Sequence, residues 1–536
     1  MRAPFSRTAF ELLCERAAGA PERVAAIAPG ASVTYAALEA RARALAWRMR
    51  EDGVRRGDRV GLLSDNRIEW LEVFFACAAL GAVVVPFSTW STARELEFLL
   101  SDSQVRLLFA IPRFAERTFV EDIAALRASG AHRRLDDVVL IDAEPHSGFA
   151  AYARFRDGDP LPDLAPGEGA SAADPLVVLY TSGSSTRPKA VPLDHCGAIE
   201  NGFNIGERQG LVPGDRVLVS IPLFWSYGAA NALPATITHG ATLVLQGHFA
   251  APGALDLIEQ HGCTAIYTLP AMTNALVAHP SFDRRRTATL RTGVTIGAPQ
   301  DILKAAAQLG ASEICNIYGA TETYGNCCVT PHDWPLERRA KCQGPPLPGV
   351  HLRIRDPMTG GEARPGDVGE IEVKGYLTRG YLGASGQLNA AAFTVDGYFR
   401  TGDLGALAQD GALNYVGRHS EMIKRSGINV SPSEVEEVLQ QHQAVALAGV
   451  TGLADPTRGE IIVAYLTPKT GASIDTEAIL AHCRMHLSRY KVPDQVRVCM
   501  ALPLTPTGKL MRRELKAIAA ASLQAATELQ AGKDMA

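Results

Sequence analysis

Apolar positions follow two contrasting patterns along the chain. From residue 59, "RVGLLSDNRIEWLEVFFACAALGAVVVPF" runs from a short apolar strand through an amphipathic helix into a second apolar strand, which predicts a βαβ unit. Similar alternation recurs in "VRLLFA", "DVVLID", "PLVVLY", "DRVLVSI", "ATLVLQ", "CTAIYTL" and "RTGVTIGA". These strands are continuous Val/Ile/Leu runs, the mark of sheets covered on both faces. The body is therefore predicted to be α/β and long enough for more than one sheet. Residues 157–175, "DGDPLPDLAPGEGASAADP", read as a surface connection.

After about residue 365 the pattern changes. "DVGEIEVKG", "GALNYVGRH" and "EMIKRSGINV" predict short antiparallel strands, and "SPSEVEEVLQQH" opens a helix with Ser431 as N-cap, Pro432 at its first position and Glu434 completing a capping box. Strands "VALAGVTG" and "EIIVAYLTP", helix "DTEAILAHCRMHLS" and strand "DQVRVCMA" then suit a small α+β domain. The predicted boundary lies at "GRHSE", dividing the chain into domains 1–418 and 419–536.

Composition narrows the function classes. The 536 residues are 47% apolar, enough for a large core and more than one domain. A formal net charge of -4, with both signs scattered, gives no basic footprint for nucleic acid. A small-molecule partner is expected instead. The ten cysteines show no CxxC pair and no metal-ligand spacing, which favours a reduced, cytoplasmic protein. The longest apolar run, from Val73, is broken by Gly81 and Pro86 and is too short for a transmembrane segment. It reads as a buried helix passing into a strand. The N-terminus carries charges where a signal peptide needs an apolar stretch.

Candidate chemistry begins at "YTSGSSTRPKA", residues 180–190. A Walker loop requires G-x-x-x-x-G-K-[ST], but Pro188 stands at the second glycine and Ala190 at the hydroxyl. What remains is a hydroxyl-rich loop with one ammonium, able to contact polyphosphate without enclosing it, or a plain Ser/Gly surface loop. Further on, "IYGATETYG" places Glu322 beyond a strand end, "YFRTGDLG" places Asp403 in a glycine turn, and "PLTPTGKLMRREL" places Lys509 after a Pro-Thr-Gly turn. Taken singly, each has a plain structural explanation as a helix cap, a turn residue or a solvated lysine.

In their order and spacing, "YTSGSSTRPKA", "YGATET", "YFRTGDLG", "GRHSEMIKRSGINVSPSEVE" and "PTGKL" resemble the adenylate-forming superfamily of acyl- and aryl-CoA ligases, peptide-synthetase adenylation domains and luciferases. The resemblance runs from about residue 10 to 516. It implies a large N-terminal domain of parallel-rich sheets flanked by helices, with a β-barrel-like subdomain and a small mobile C-terminal domain. It also implies a reaction in which a carboxylate attacks the α-phosphate of ATP, pyrophosphate leaves, and a thiol then displaces AMP from the acyl-adenylate.

By the resemblance, Thr181, Ser182, Gly183, Ser184, Ser185, Thr186 and Lys189 would hold the β- and γ-phosphates, Thr321 would touch the α-phosphate, and Glu322 would ligate Mg²⁺. Asn316, Tyr318, Gly319 and Ala320 would form one wall of the adenine slot, with Asn316 toward the exocyclic amine and Tyr318 stacked on the ring. Gly297, Ala298 and Pro299 would form the other. Asp403 would accept from the ribose hydroxyls and Arg418 would approach the ribose and phosphates. Lys509 would be the catalytic lysine of adenylation, delivered by the C-terminal domain. Rotation at the hinge position Ser420 would then present Lys424, Arg425, Ser426 and Gly427 as a coenzyme A tunnel.

Three features depart from the family pattern. Thr186 and Ala190 replace glycines, and Ser420 stands where relatives carry Asp or Lys. Trp225 in "PLFWSYG" stands where many relatives have a gating histidine, so it is either an aromatic gate or core packing. Phe224 is followed by Trp225 rather than by the aspartate that anchors an amino-acid ammonium. Trp225, Tyr227 and Tyr324 are therefore assigned to an acyl pocket for an apolar carboxylic acid, fatty or aromatic. A free-standing acid:CoA ligase using ATP, Mg²⁺ and coenzyme A is expected, with a homodimer as the default assembly. A ligase that loads a separate carrier protein and a non-catalytic scaffold of the same fold are the alternatives.

Overall fold

The computed structural model describes residues 1–129, 135–141, 148–156, 168–181, 188–383, 386–425, 428–455, 458–505, 508 and 510–521. The chain divides into two compact units: Met1–Leu269, Thr273–Leu352 and Val373–Phe399 form the first, and Pro270–Met272, Arg353–Glu372 and Arg400–Ala536 the second.

Two parallel-rich sheets build the first unit. The eight-stranded sheet runs Cys328–Val329, Cys315–Tyr318, Thr292–Thr295, Ala265–Tyr267, Arg216–Val219, Thr242–Leu245, Val24–Ala28, Ala31–Thr34, with antiparallel pairing only at its two ends. The seven-stranded sheet runs Lys189–Asp194, Pro175–Thr181, Val83–Phe87, Arg59–Leu63, Leu107–Ala110, Asp137–Leu140, Ala150–Ala151, and only Lys189–Asp194 is antiparallel to its neighbour. The apolar stretch from Val73 folds as expected. Helix Ile68–Leu80 is buried on nearly every side, Gly81 ends it at φ 68, and strand Val83–Phe87 follows. Glycine takes that left-handed turn without a Cβ penalty.

The second unit is mainly antiparallel. Strands His351–Arg355, Gly369–Lys374, Phe399–Leu407 and Leu413–Arg418 form an open four-stranded sheet. This sheet stands where the barrel-like subdomain is expected from the sequence. Beyond it, Ile428–Val430, Ile423–Arg425, Gly459–Pro468 and Val445–Asp455 pair antiparallel, and Gln495–Val498 joins Gly459–Pro468 in parallel. Helices Pro432–Gln441 and Thr476–His486 cover this sheet through Val435, Leu439, Ile479 and Cys483.

Ser431 and Pro432 take the predicted N-cap and first helical positions, but the capping box does not form. The Ser431 hydroxyl donates instead to the Val416 carbonyl at 2.8 Å, and Glu434 pairs with Lys491 at 2.5 Å. A tertiary acceptor and an ammonium have taken both halves of the local motif. All ten cysteines are free thiols, and no described helix is long and apolar enough to cross a membrane.

Candidate active site

In the first unit the predicted residues gather at the C-terminal ends of parallel strands, where open α/β sheets present ligands. Thr181 ends the strand Pro175–Thr181, and Lys189–Asp194 returns beside it with Thr181 opposite Lys189 and Tyr180 opposite Ala190. The two strands that flank the hydroxyl-rich segment therefore pair as the arms of a β-hairpin. Ser182, Gly183, Ser184, Ser185 and Thr186 lie outside the described residues. Ala190 is buried and bridges on its other edge to Leu382, whose N–H donates to the Ala190 carbonyl at 3.0 Å. A small residue suits this junction of three extended segments.

Strand Thr292–Thr295 leads to Gly297, at φ 145, and Ala298 then caps helix Pro299–Lys304, with Asp301 accepting the Ala298 N–H at 3.0 Å. Strand Cys315–Tyr318 leads through Gly319 and Ala320 to Thr321 and Glu322. A Cβ on Gly319 would stand 2.4 Å from the Gly325 carbonyl oxygen and 2.5 Å from the Asn326 Cα, so the tightness of this loop requires glycine. Thr321 Oγ1 donates to Ser226 Oγ at 3.1 Å, which joins this loop to the "PLFWSYG" segment.

Glu322 is 9% exposed and held twice: its carbonyl accepts the Thr378 N–H at 2.8 Å, and its Oε1 accepts the Tyr381 hydroxyl at 2.8 Å. The Lys189 ammonium stands 4.7 Å from the centroid of the Tyr381 ring. Burial, and then the Glu322 carboxylate, push the Tyr381 hydroxyl well above the usual phenol range, so it stays protonated and donates.

Asn66 shapes the acyl segment from the neighbouring sheet. Its Nδ2 donates to the carbonyls of Val219 and Ile221 at 3.1 and 2.8 Å, and its Oδ1 accepts the Leu223 N–H at 2.8 Å. Trp225, half-buried, meets Trp90 edge-on at 5.1 Å, and Trp90 meets Phe224 edge-on at 5.3 Å. The Tyr227 hydroxyl donates to the Val294 carbonyl at 3.0 Å, its ring lies 5.3 Å from Tyr267, and a π-helical turn, Gly228–Ala232, follows. Such turns recur at functional sites.

Two of the predicted residues in the first unit have their polar groups engaged by neighbouring backbone. Asn316 is 1% exposed, and its amide donates to the Cys342 carbonyl at 2.9 Å and accepts the Ile317 N–H at 2.9 Å. It braces its strand through both ends of the amide. Tyr324 is 1% exposed, its hydroxyl accepts the Asp194 N–H at 3.0 Å, and it lines a 340 Å³ cleft with Cys196, Gly197 and Arg379, not with Trp225 or Tyr227. Tyr318, 8% exposed, remains at the strand end.

In the second unit Asp403 lies within strand Phe399–Leu407, not in a free turn, because ladder pairing continues through it; Gly402, at φ 72, supplies the local bend. Asp403 is directly opposite Arg418, whose Nε donates to its Oδ1 at 3.0 Å. Ser420 sits in the single turn His419–Glu421 between two strands. Lys424 is exposed, whereas Arg425 is spent on Asp494 at 2.5 Å and on the carbonyls of Tyr490 and Val492 at 2.8 and 3.0 Å. That guanidinium is committed to structural partners within the second unit. Ser426, Gly427 and Lys509 lie outside the described residues.

No group of three His, Cys, Asp or Glu side chains among the described residues could hold an ion by itself. One buried carboxylate, Glu322, fits a magnesium ion that arrives on nucleotide phosphates, since Mg²⁺ commonly takes one or two carboxylates and completes its shell with phosphate and water. Sequence reading missed Tyr381, Asn66 and Trp90. Tyr381 lies 59 residues from Glu322 in a stretch with no chemical signature of its own, and only its position after Gly380 could have drawn attention.

Comparison with known proteins identifies the family. The model of the AMP-binding enzyme family matches residues 13–382, and that of the AMP-binding enzyme C-terminal domain matches 434–509. The putative acyl-CoA synthetase YngI of Bacillus subtilis is 30% identical over 530 residues, covering 95% of this chain and 96% of the relative. An indoleacetate–CoA ligase of Aromatoleum aromaticum is 33% identical over 509 residues, covering 93% and 96%. The crystal structure of the anthranilate CoA ligase AuaEII with anthranoyl-AMP superposes with a TM-score of 0.86 at 25% identity, covering 98% of this chain and 100% of that one. The chain belongs to the AMP-binding enzyme family.

Proposed function

We propose that this protein, an AMP-forming acid:CoA ligase, activates an apolar carboxylic acid, fatty or aromatic, in the cytoplasm. The carboxylate attacks the α-phosphorus of ATP, the bond to the bridging oxygen of pyrophosphate breaks, and an acyl-adenylate forms. The thiol of coenzyme A then attacks the acyl carbon and AMP leaves, carrying the electron pair of the broken anhydride bond. The observation that carries this reading is the Thr321–Ser226 hydrogen bond at 3.1 Å, which brings the loop bearing Glu322 against the aromatic corner of Trp90, Phe224 and Trp225.

Each residue has a role suited to its chemistry. Glu322 would hold Mg²⁺, which when bound offsets phosphate charge. Lys189 contributes a positive charge at the hairpin that leads to the phosphate segment, and Thr321 a hydroxyl toward the α-phosphate. Asp403 accepts from ribose hydroxyls. Lys509, delivered by a domain that swivels at Ser420, stabilises charge on the transferring oxygens. The half-buried aromatic corner favours an uncharged acyl chain. Ten free thiols suit a reducing compartment.

The test is acid-dependent exchange of labelled pyrophosphate into ATP over short, medium, long, branched and aromatic acids, followed by thioester formation with coenzyme A. Exchange should be strongest with apolar acids. A panel in which amino acids or charged acids exchange best would overturn the substrate class, and exchange without thioester formation would redirect the acceptor to a carrier protein.

A further inference from the structure

Tyr381 lies outside the motifs quoted from the sequence, yet it contacts two groups that the nucleotide reading uses. Its hydroxyl donates to Glu322 Oε1 at 2.8 Å and its ring faces the Lys189 ammonium at 4.7 Å. The side chain is 6% exposed, and its backbone is clamped by Asn389, whose Oδ1 accepts the Tyr381 N–H at 2.9 Å and whose Nδ2 donates to the Tyr381 carbonyl at 3.4 Å. On either side, Thr378 N–H donates to the Glu322 carbonyl, Thr378 Oγ1 donates to the Pro192 carbonyl at 2.7 Å, and Leu382 N–H donates to the Ala190 carbonyl at 3.0 Å. The stretch 378–382 is thus stitched to both the hairpin strand that begins with Lys189 and the loop that carries Glu322.

A direct Lys189–Glu322 ion pair would cancel the two charges that the phosphates and their cation require. Among the described residues no ion pair joins them; the Lys189 ammonium meets the Tyr381 ring and Glu322 accepts the Tyr381 hydroxyl. A phenol contacts each group in a different way: the π face attracts the ammonium without removing its charge, and the hydroxyl orients the carboxylate with a neutral donor.

We infer that Tyr381 is a positioning residue for nucleotide binding, holding Glu322 and Lys189 apart and correctly aimed so that both charges remain available to metal-bearing ATP. The inference rests on the reading of Glu322 as the magnesium ligand and of Lys189 as a phosphate contact.

The experiment is calorimetric titration of the full chain with ATP, with and without Mg²⁺. Tyr381→Phe keeps the ring and removes the hydroxyl. It should reduce the Mg²⁺-dependent gain in ATP affinity about tenfold, the scale on which groups behind a ligand act, while metal-free ATP affinity stays at the wild-type value. Tyr381→Leu removes both contacts and should weaken metal-free ATP binding as well, by about threefold. Asn389→Ala, which loosens the clamp and touches neither charge, should move the Mg²⁺-dependent gain in the same direction by less, and it serves if Tyr381→Phe fails to fold. A Mg²⁺-dependent gain at the wild-type value in Tyr381→Phe, or an equal loss with and without Mg²⁺, would overturn Tyr381's role and leave the metal reading standing. A wild type whose ATP affinity ignores Mg²⁺ would remove the metal reading and this inference together.

Discussion

Two buried carboxylates, one in each unit, are held in opposite ways. Glu322 takes its hydrogen bond from a neutral phenol at 2.8 Å, whereas Asp403 takes its from the Arg418 guanidinium at 3.0 Å. A neutral donor orients a carboxylate and leaves its charge in place, while a guanidinium orients it and cancels much of that charge. The first arrangement suits a divalent cation, which needs charge. The second suits sugar hydroxyls, which need a well-aimed acceptor. The glycines beside them differ in the same way: Gly319 is required because neighbouring backbone fills the space of a Cβ, but Gly402 only because of its φ of 72, with nothing within 4 Å of an added Cβ.

The comparison can be broken by isosteres. Glu322→Gln keeps shape and loses charge, so pyrophosphate exchange should fall about 10²–10³-fold, as when a preorganised electrostatic group is removed. Asp403→Asn should instead raise the KM for ATP about tenfold with little change in kcat, the scale of one charge-assisted hydrogen bond. Equal losses in the same parameter would show that the two carboxylates are not specialised. In urea unfolding, Gly319→Ala should destabilise by about 1–3 kcal/mol through backbone overlap. Gly402→Ala should cost about 1 kcal/mol through φ alone. The reverse order would mean that the Gly319 loop relaxes freely.

The smallest effect concerns the ion pair itself. Arg418 has a side chain 45% exposed, so a double-mutant cycle with Asp403 should give a coupling of about 0.5 kcal/mol that fades at about 0.5 M salt. A Tyr381–Glu322 cycle, whose direct contact is a hydrogen bond from a neutral donor, should show little dependence on salt. A salt-sensitive Tyr381–Glu322 coupling would show that Lys189 reaches the carboxylate and that the ring does not separate them.

Much of the fold is legible in the sequence because buried parallel strands must be continuously apolar, and each of the seven strands expected after the first βαβ unit is present. The hairpin Val24–Ala28 and Ala31–Thr34 escaped because its alanine-rich residues have weak strand preference. Lys189–Asp194 escaped because Pro192 argues against a strand, yet this is an edge strand, where proline is tolerated. Asp403 was read as a turn residue from Gly402, but ladder pairing on both sides of the bend kept it in a strand.

The order of motifs, the α/β class and the side chains that carry usable chemistry are all readable from the chain alone, because they depend on residue type and short-range spacing. How each of those side chains is occupied emerges only once distant segments pack together. Asn316 and Arg425 look like ligand contacts and are consumed by Cys342 and Asp494, the latter 69 residues away, while Tyr381 looks like nothing and joins Lys189 to Glu322. A residue's type sets what it can donate or accept, but packing between distant segments selects the partner, and that selection leaves no periodic trace in the chain.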